Sequence, residues 1–112
     1  MTDTIFARIA RREIPATIVA ESERCIAFRD LSPQAPVHVL VIPKETYATL
    51  NDIDDDTILA ELLRLARDVA KKEGIAEDGY RIVINTNRNG GQTVFHVHAH
   101  VLGGRAMHWP PG

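Results

Sequence analysis

The stretch Thr93-Val94-Phe95-His96-Val97-His98-Ala99-His100-Val101-Leu102 alternates imidazoles with apolar side chains. A period of two residues predicts a β-strand, because successive side chains of a strand point to opposite faces of its sheet. His96, His98 and His100 would therefore share one face, with neighbouring rings roughly 6.5–7 Å apart. The opposite face is uniformly apolar and is expected to pack against a helix: Phe95, Val97, Ala99 and Val101.

That helix is predicted at Asp54 to Glu73. Aspartates gather at its N-terminal end and Lys71 and Lys72 lie at its C-terminal end, which suits the helix dipole, and Gly74 supplies the stop. Its apolar residues recur with helical spacing. They are Ile58, Leu62, Leu65, Ala66, Val69 and Ala70, with Leu59 and Leu63 widening the stripe.

The other elements indicate an α+β fold. A short helix is predicted at Asp3 to Arg12, with Thr2 or Asp3 as its N-cap. The sequence predicts further strands at 17–21, 24–29, 37–42 and 80–85, with a turn at 88–91. Strands do not alternate regularly with helices, so we expect a mostly antiparallel five-stranded sheet with one long and one short helix.

Length and composition limit the class of protein. The 112 residues suit a single domain spanning 1–112, and a formal charge of −2 gives no broad reason to bind nucleic acid. The apolar runs are too short to cross a membrane, and the N-terminus does not resemble a secretory signal. Cys25 is the only cysteine, so we expect a reducing, cytoplasmic setting.

The histidine row leaves two chemistries open. Imidazoles at alternate strand positions could bind zinc or copper, with His38 completing a set around His96, His98 and His100. Alternatively, His98 is a nucleophile or base whose neighbours orient it and bind an anion. The glycine-rich segment at 87–93 favours the second interpretation, because such a turn can bring backbone N–H groups close to an anion, and Gln92 and Thr93 add side-chain donors.

A second group of residues has two interpretations. Asp30 stands before a proline-rich loop and is either a turn former or a carboxylate that accepts hydrogen bonds from ribose hydroxyls. Several apolar residues are either plain core or the walls of a flat slot, namely Ile5, Phe6, Ile9, Phe28, Leu31 and Leu40.

The chain resembles the Hint branch of the histidine triad family. His96 to Leu102 matches the pattern of three histidines separated by apolar residues. The similarity extends over essentially the whole chain. It includes the segments 3–6, 14–16, 28–36, 38–44, 90–92 and 103–112, the last ending in His108-Trp109-Pro110-Pro111-Gly112.

The resemblance implies a homodimer that hydrolyses purine nucleoside phosphoramidates and aminoacyl adenylates without a cofactor or metal. In that scheme His98 attacks the α-phosphorus and water resolves the nucleotidyl-histidine, releasing AMP or GMP. His96 and His100 orient it, and His38 supports them. A purine nucleotide-binding interaction protein with incidental hydrolysis, or a diadenosine-polyphosphate hydrolase, would have a similar sequence.

The resemblance also implies a complete nucleotide site. The phosphate and leaving amine would be held by Asn85, Gly91, Gln92, Thr93 and Val94, with His98 and His100. Asp30 would bind the ribose, and the base site would be lined by Ile5, Phe6, Ile9, Phe28, Arg29, Leu31 and Leu40. Trp109 would reach the site of the partner subunit.

The chain departs from its relatives at some positions. Thr4 and Ala7 stand where many relatives have zinc-binding cysteines, so no structural zinc is expected. Thr93 stands where the branch often has serine, and its methyl group could alter the geometry of the leaving group. Arg29 stands where a histidine is expected, which could shift the base preference.

Overall fold

The computed structural model of the chain describes residues 3–112. Three α-helices and five β-strands follow one another in the order α1, β1, β2, β3, α2, β4, α3, β5, with a short 3-10 helix before α2. Their bounds are α1 Ile5–Ala10, β1 Ile18–Glu21, β2 Cys25–Arg29, β3 Val37–Pro43, the 3-10 helix Leu50–Asp52, α2 Asp56–Lys72, β4 Tyr80–Val83, α3 Asn87–Gly90 and β5 Ala99–Gly103.

The five strands form one antiparallel sheet in the order β1-β2-β3-β5-β4, which confirms the predicted fold class. Strands β3 and β5 are neighbours at its centre although they lie far apart in the chain. Their register sets Leu40 opposite His100 and His38 opposite Leu102. Two histidines from different strands are thereby brought to the same face.

Helix α2 covers one face of the sheet. Asp55 caps its first turn by accepting a hydrogen bond from the backbone N–H of Thr57, and Glu73 ends it. Its predicted apolar face is buried against side chains from the strands, including Val39, Val41, Ala99 and Val101. Leu63 is about half exposed, so the expected widening of the stripe at that position is wrong.

Helix α1 covers part of the other face, where Ile9 packs with Phe28 and Leu40. The cap prediction was wrong. Thr4 is the N-cap and its side chain accepts a hydrogen bond from the N–H of Ala7, whereas the carboxylate of Asp3 binds Arg11. Thr2, the other predicted cap, lies outside the described residues.

The last strand is shorter than the predicted one, since it begins at Ala99 and not at Thr93. Before that point the chain is held by other bonds: the N–H of Val97 donates to the carbonyl of Tyr47, and Val94 O accepts from the side chain of Gln92. Phe95 is 46% exposed, so its predicted packing against the helix is wrong.

The turn before this segment also differs from expectation. Strand β4 ends at Val83, short of the predicted Asn85, and Asn87–Gly90 forms a single helical turn. Gly91 ends that turn with φ of 79°, a left-handed conformation that favours glycine. Among the described residues, we find no helix with the length and apolar character needed to cross a membrane.

Candidate active site

The histidines of the triad gather with His38 on the side of the sheet that carries α1. The ring centroids of His98 and His100 are 4.9 Å apart, and those of His38 and His100 are 5.2 Å apart. The ring of Phe6, from α1, meets His98 edge-on with a centroid distance of 5.0 Å. The expectation that the histidines face away from the long helix is confirmed.

His96 is completely buried and both of its ring nitrogens are occupied. Nε2 lies 2.7 Å from the carbonyl oxygen of Pro43, and Nδ1 lies 3.1 Å from the hydroxyl of Thr4. A carbonyl can only accept, so the Nε2 of His96 carries the proton and donates, while Nδ1 accepts from the hydroxyl. His96 therefore does not open into a cleft, and neither nitrogen is free to bind a metal.

His98 has one occupied and one available nitrogen. Its Nδ1 donates to the main-chain carbonyl of His96 at 2.8 Å, which places the proton of the neutral ring on Nδ1. Burial lowers the pKa of His98, against the opposing effects of that hydrogen bond and of the Asp30 carboxylate. The ring is therefore neutral near pH 7 and its Nε2 keeps an unshared electron pair, as a nucleophile requires.

A chain of hydrogen bonds fixes the neighbouring rings in the same way. The N–H of Gln34 donates to Nδ1 of His38 at 3.0 Å, so the proton of His38 is on Nε2. Nε2 of His38 then donates to Nδ1 of His100 at 2.9 Å, which leaves the proton of His100 on its Nε2. Burial, assisted by His98 and His38, lowers the pKa of His100 to about 4, so His100 is a neutral N–H donor.

Asp30 lies beside the hydrogen-bonded rings of His38 and His100. One carboxylate oxygen accepts from the N–H of Ser32 at 2.7 Å, and the other is 3.5 Å from Nε2 of His38. The turn-forming role and an available carboxylate oxygen are thus both present. In the described part of the chain, the only group of metal-ligand atoms within 4.8 Å of one another comes from Asp30, His38 and His100. That group differs from the set of three triad histidines considered from the sequence.

A pocket of about 150 Å³ opens next to Asp30. All the residues suggested for the base site line it, and so do Asp30 and three others. The expected residues are Ile5, Phe6, Ile9, Phe28, Arg29, Leu31 and Leu40, and the additional ones are Ile14, Pro15 and Ala16. Phe28, Leu40 and Ile9 are also buried in the apolar cluster between α1 and the sheet, so core and pocket wall are not exclusive alternatives.

Arg29 lines the pocket, but its charged group is engaged elsewhere. The guanidinium binds the carboxylate of Glu73, the residue that ends α2, with one N–O distance of 2.6 Å. This pair raises the pKa of Arg29. The cation is directed to the helix, so the predicted influence of Arg29 on base preference has no support in this arrangement of its side chain.

The segment between α3 and β5 is held by Gln92. The side-chain carbonyl of Gln92 accepts from the N–H of Asn87 at 2.9 Å, and its NH₂ donates to the carbonyls of Ala48 and Val94 at 2.7 and 3.1 Å. The side chain is therefore not an open donor for an anion, contrary to expectation. Within residues 3–112, the backbone N–H groups of Thr93 and Val94 have no hydrogen-bond acceptor.

Of the other residues expected in the site, Asn85 lies beside the glycine turn and Trp109 lies at the surface. Asn85 is adjacent to Gly90, where a β-carbon would be 3.6 Å from the Asn85 carbonyl carbon. Trp109 is 81% exposed, in a tail whose His108 carbonyl accepts from Arg81.

A larger depression of about 400 Å³ lies elsewhere, beside Gly74 and Gly104, and none of the histidines lines it.

Sequence reasoning missed Thr4 as part of this site. It is separated from His96 by 92 positions, and nothing in the local sequence indicates that the two side chains meet. In the sequence, Thr4 and Ala7 stand out only because they replace the zinc-binding cysteines of many relatives. A helix starting at Ile5 would have indicated a cap at Thr4, but not its second hydrogen bond.

Comparison with known proteins agrees with this geometry. The family model for the HIT domain matches residues 11–107. The chain belongs to the HIT domain family. The purine nucleoside phosphoramidase of Escherichia coli K12 is 50% identical over 107 residues, covering 94% of this chain and 90% of that protein. An uncharacterized HIT-like protein of Synechococcus elongatus is 55% identical over 112 residues, covering 98% and 97% of the two chains.

Solved structures of HIT proteins have the same fold. The HIT family hydrolase from Legionella pneumophila superposes with a TM-score of 0.93 at 53% identity, covering 97% of this chain and 99% of that one. A histidine triad protein from Clostridium difficile superposes with a TM-score of 0.90 at 41% identity, covering 96% and 95%. This HIT domain is therefore placed among hydrolases of its family.

Proposed function

We propose that this HIT protein cleaves the P–N bond of purine nucleoside phosphoramidates, and the corresponding P–O bond of aminoacyl adenylates, through a nucleotidyl-histidine, releasing AMP or GMP. The observation that carries the proposal is the protonation pattern of His98: Nδ1–H is bound to a carbonyl, and Nε2 has no hydrogen-bond partner among residues 3–112. The similarity to a purine nucleoside phosphoramidase supports the choice of substrate class.

The pocket beside the histidines suits the nucleoside. Its walls are largely apolar, and Phe6, which lines it, makes an edge-to-face contact with the ring of His98, so a flat base would rest on α1 and β2. Asp30 stands between the pocket and His38, where an oxygen of its carboxylate can accept from ribose hydroxyls. A purine nucleoside seated this way would direct its 5′-phosphate to the triad.

In the first step Nε2 of His98 attacks the α-phosphorus. A P–N bond to histidine forms, the P–N bond to the leaving amine breaks, and the amine takes up a proton from solvent. His98 gains positive charge, which strengthens its Nδ1–H donation to the carbonyl of His96. The Nε2–H of His100 is positioned to donate to a phosphate oxygen as charge develops there.

In the second step water attacks the phosphorus. The bond to Nε2 breaks, the attacking water releases a proton to solvent, the nucleoside monophosphate leaves, and His98 returns to its neutral form. Backbone N–H groups of Thr93 and Val94 supply further donors at the end of the segment that leads to the histidines. Catalysis here consists mainly of positioning and of stabilising charge with fixed dipoles, for which the chain provides every group named.

The assembly and location in this proposal follow the resemblance. A homodimer would give the exposed Trp109 a partner surface, and the tail would then reach the neighbouring site. We propose a cytoplasmic location, in keeping with Cys25, a free and buried thiol. Asn85 and Gly91 would complete the phosphate end of the site.

The test compares the wild-type protein with His98→Asn on a panel of adenosine and guanosine phosphoramidates with varied amines, with an aminoacyl adenylate and a diadenosine polyphosphate. We expect turnover of phosphoramidates by the wild type only, with AMP bound equally by both proteins. A nucleotide adduct on His98 should be seen by intact mass measurement after rapid quenching.

Other outcomes are informative. Undiminished turnover by His98→Asn would refute His98 as the nucleophile. Clear affinity for AMP with negligible turnover of every phosphoramidate would indicate a nucleotide-binding interaction protein. Preferred hydrolysis of the diadenosine polyphosphate would assign that substrate class instead.

A further inference from the structure

We propose that Thr4 is a positioning residue for the nucleophile: its hydroxyl donates to Nδ1 of His96 and, together with the carbonyl of Pro43, fixes the tautomer of this ring, whose main-chain carbonyl in turn holds His98. The inference rests on the proposed function and adds a residue outside the triad to it. Three hydrogen bonds in series support it, those from Thr4 to His96, from His96 to Pro43 and from His98 to the carbonyl of His96.

The direction of the first hydrogen bond follows from the surroundings of Thr4. Its oxygen accepts from the N–H of Ala7 at 3.0 Å, as the N-cap of α1, and lies 3.1 Å from Nδ1 of His96. A hydroxyl has one proton and two lone pairs, so accepting from Ala7 leaves the proton available for His96. Thr4 is buried, so water does not compete freely for that proton.

The second hydrogen bond makes the tautomer unique. With the proton of His96 on Nε2, the ring donates to Pro43 and accepts from Thr4, and both partners are satisfied. With the proton on Nδ1, the unprotonated Nε2 would face the carbonyl of Pro43, and two acceptors would be buried against each other. Leaving a buried polar group unpaired is costly, so the first arrangement is selected.

The ring bonds matter because the backbone next to His96 has one bond of its own, from the N–H of Val97 to the carbonyl of Tyr47, and otherwise depends on side chains. His96 precedes strand β5, which begins at Ala99, and therefore lies outside the hydrogen-bonded ladder. Its side chain is tied at one end to the start of α1 and at the other to the last residue of β3. These two ties hold the carbonyl that receives Nδ1–H of His98.

Thr4 also connects this support with the base pocket. Helix α1 has six residues, too few to be stable alone, so its capped first turn matters for where Phe6 lies. The ring of Phe6 is 5.5 Å from Phe28 and 5.0 Å from His98, measured between centroids. One threonine thus fixes both a wall of the pocket and the orientation of the nucleophile.

The experiment separates the two functions of the hydroxyl with three substitutions. Thr4→Val removes both hydrogen bonds, Thr4→Ser keeps both, and Thr4→Asp keeps an acceptor for Ala7 but has no proton to give to Nδ1 when ionised. Asp55→Ala is the matched control, because it removes the N-cap of α2 on the other face of the sheet. Readouts are kcat, KM and the ¹⁵N signals of the imidazoles.

We expect Thr4→Val and Thr4→Asp to lower kcat about tenfold, the factor for one lost hydrogen bond of ordinary strength, and to shift the Nδ1 signal of His96. Thr4→Ser should restore both readouts. Asp55→Ala should lower the melting temperature without changing kcat or the imidazole signals. In Thr4→Asp, which keeps the cap of α1, the loss should be in kcat more than in KM, whereas Thr4→Val should also raise KM because Phe6 loses its capped helix.

Wild-type kcat and unchanged His96 signals in Thr4→Asp would overturn the proposal, and so would a failure of Thr4→Ser to restore them. The ¹⁵N measurement needs no substrate. If the wild type turned over no phosphoramidate, the proposed function would fail, while the signals would still show whether Thr4 selects the tautomer. Loss of stability alone in Thr4→Val, with kcat retained, would assign Thr4 a purely structural role.

Discussion

Lowering the pH from 7 to 5 should destabilise the protein, and His100 is the ring whose share can be worked out. Its pKa is lowered to about 4, mainly by burial and then by His98 and His38. In the unfolded chain a histidine titrates near 6.5. Between these values the unfolded state binds a proton that the folded state does not, so the free energy of unfolding falls as the pH falls.

The size of the effect follows from the same shift. Over the roughly 1.5 pH units between 6.5 and 5, a ring that stays neutral in the folded state costs at most about 2 kcal/mol. His100 is only partly buried by surface area, so solvent screening reduces the expected cost to about 1 kcal/mol. His38, His96 and His98 also have lowered pKa values and act in the same direction.

The assay is urea unfolding of the wild type and of His100→Asn at pH 8, 7 and 5. The amide oxygen of asparagine takes the place of Nδ1 and can accept from His38, so the packing is retained while the titrating group is removed. The variant should lose about 1 kcal/mol less than the wild type between pH 7 and 5. Between pH 8 and 7 the two should change alike. An equal acid loss in both proteins would refute the reasoning.

Three other predictions follow from particular contacts. Gly103→Ala should destabilise the protein by about 1–3 kcal/mol in urea unfolding, since a β-carbon there would lie 2.6 Å from Cδ1 of Ile75, and Ile75→Ala should relieve the loss in the double variant. Cys25 should react with a thiol reagent only on unfolding, because burial raises its pKa to about 12, and rapid labelling of the native protein would contradict this. Prolonged chelation should leave kcat of the proposed phosphoramidase reaction unchanged, because the nitrogens of His96 and the Nδ1 of His98 are committed to hydrogen bonds. In the group of Asp30, His38 and His100, Nε2 of His38 likewise donates to Nδ1 of His100. Restoration of a lost rate by added zinc would show otherwise.

The fold could largely be predicted because its signals are local. Alternating and helical apolar patterns predicted five strands and the long helix, and the order of elements indicated an antiparallel sheet. The residues suggested for the base site, which line one pocket beside Asp30, came from a family resemblance and from apolar residues on α1 and β2. That pocket assignment needed no knowledge of individual contacts.

Other features depend on contacts between distant parts of the chain. Alternation continues through Phe95, yet the strand starts at Ala99, because Val97 donates to Tyr47 and not to the ladder. The spacing of the triad cannot show that both ring nitrogens of His96 are hydrogen-bonded, to Thr4 and Pro43, whereas the hydrogen bond of His98 uses Nδ1 and leaves the electron pair of Nε2 unshared. Likewise, the side-chain amide of Gln92 could bind an anion, but in the fold it makes hydrogen bonds to backbone groups.

Main-chain groups take part in setting the proton positions of all four rings. The N–H of Gln34 acts on His38 and through it on His100, and the carbonyl of His96 acts on His98. The carbonyl of Pro43 acts on His96 together with the hydroxyl of Thr4. Main-chain amides do not titrate in the range where proteins fold, and ordinary side-chain substitutions leave their polarity intact. The tautomers that the proposed reaction requires therefore depend largely on main-chain groups, which most substitutions leave unchanged. Gln34→Pro is the exception, because it would remove the N–H that donates to Nδ1 of His38. His38, and through it His100, could then adopt the other tautomer.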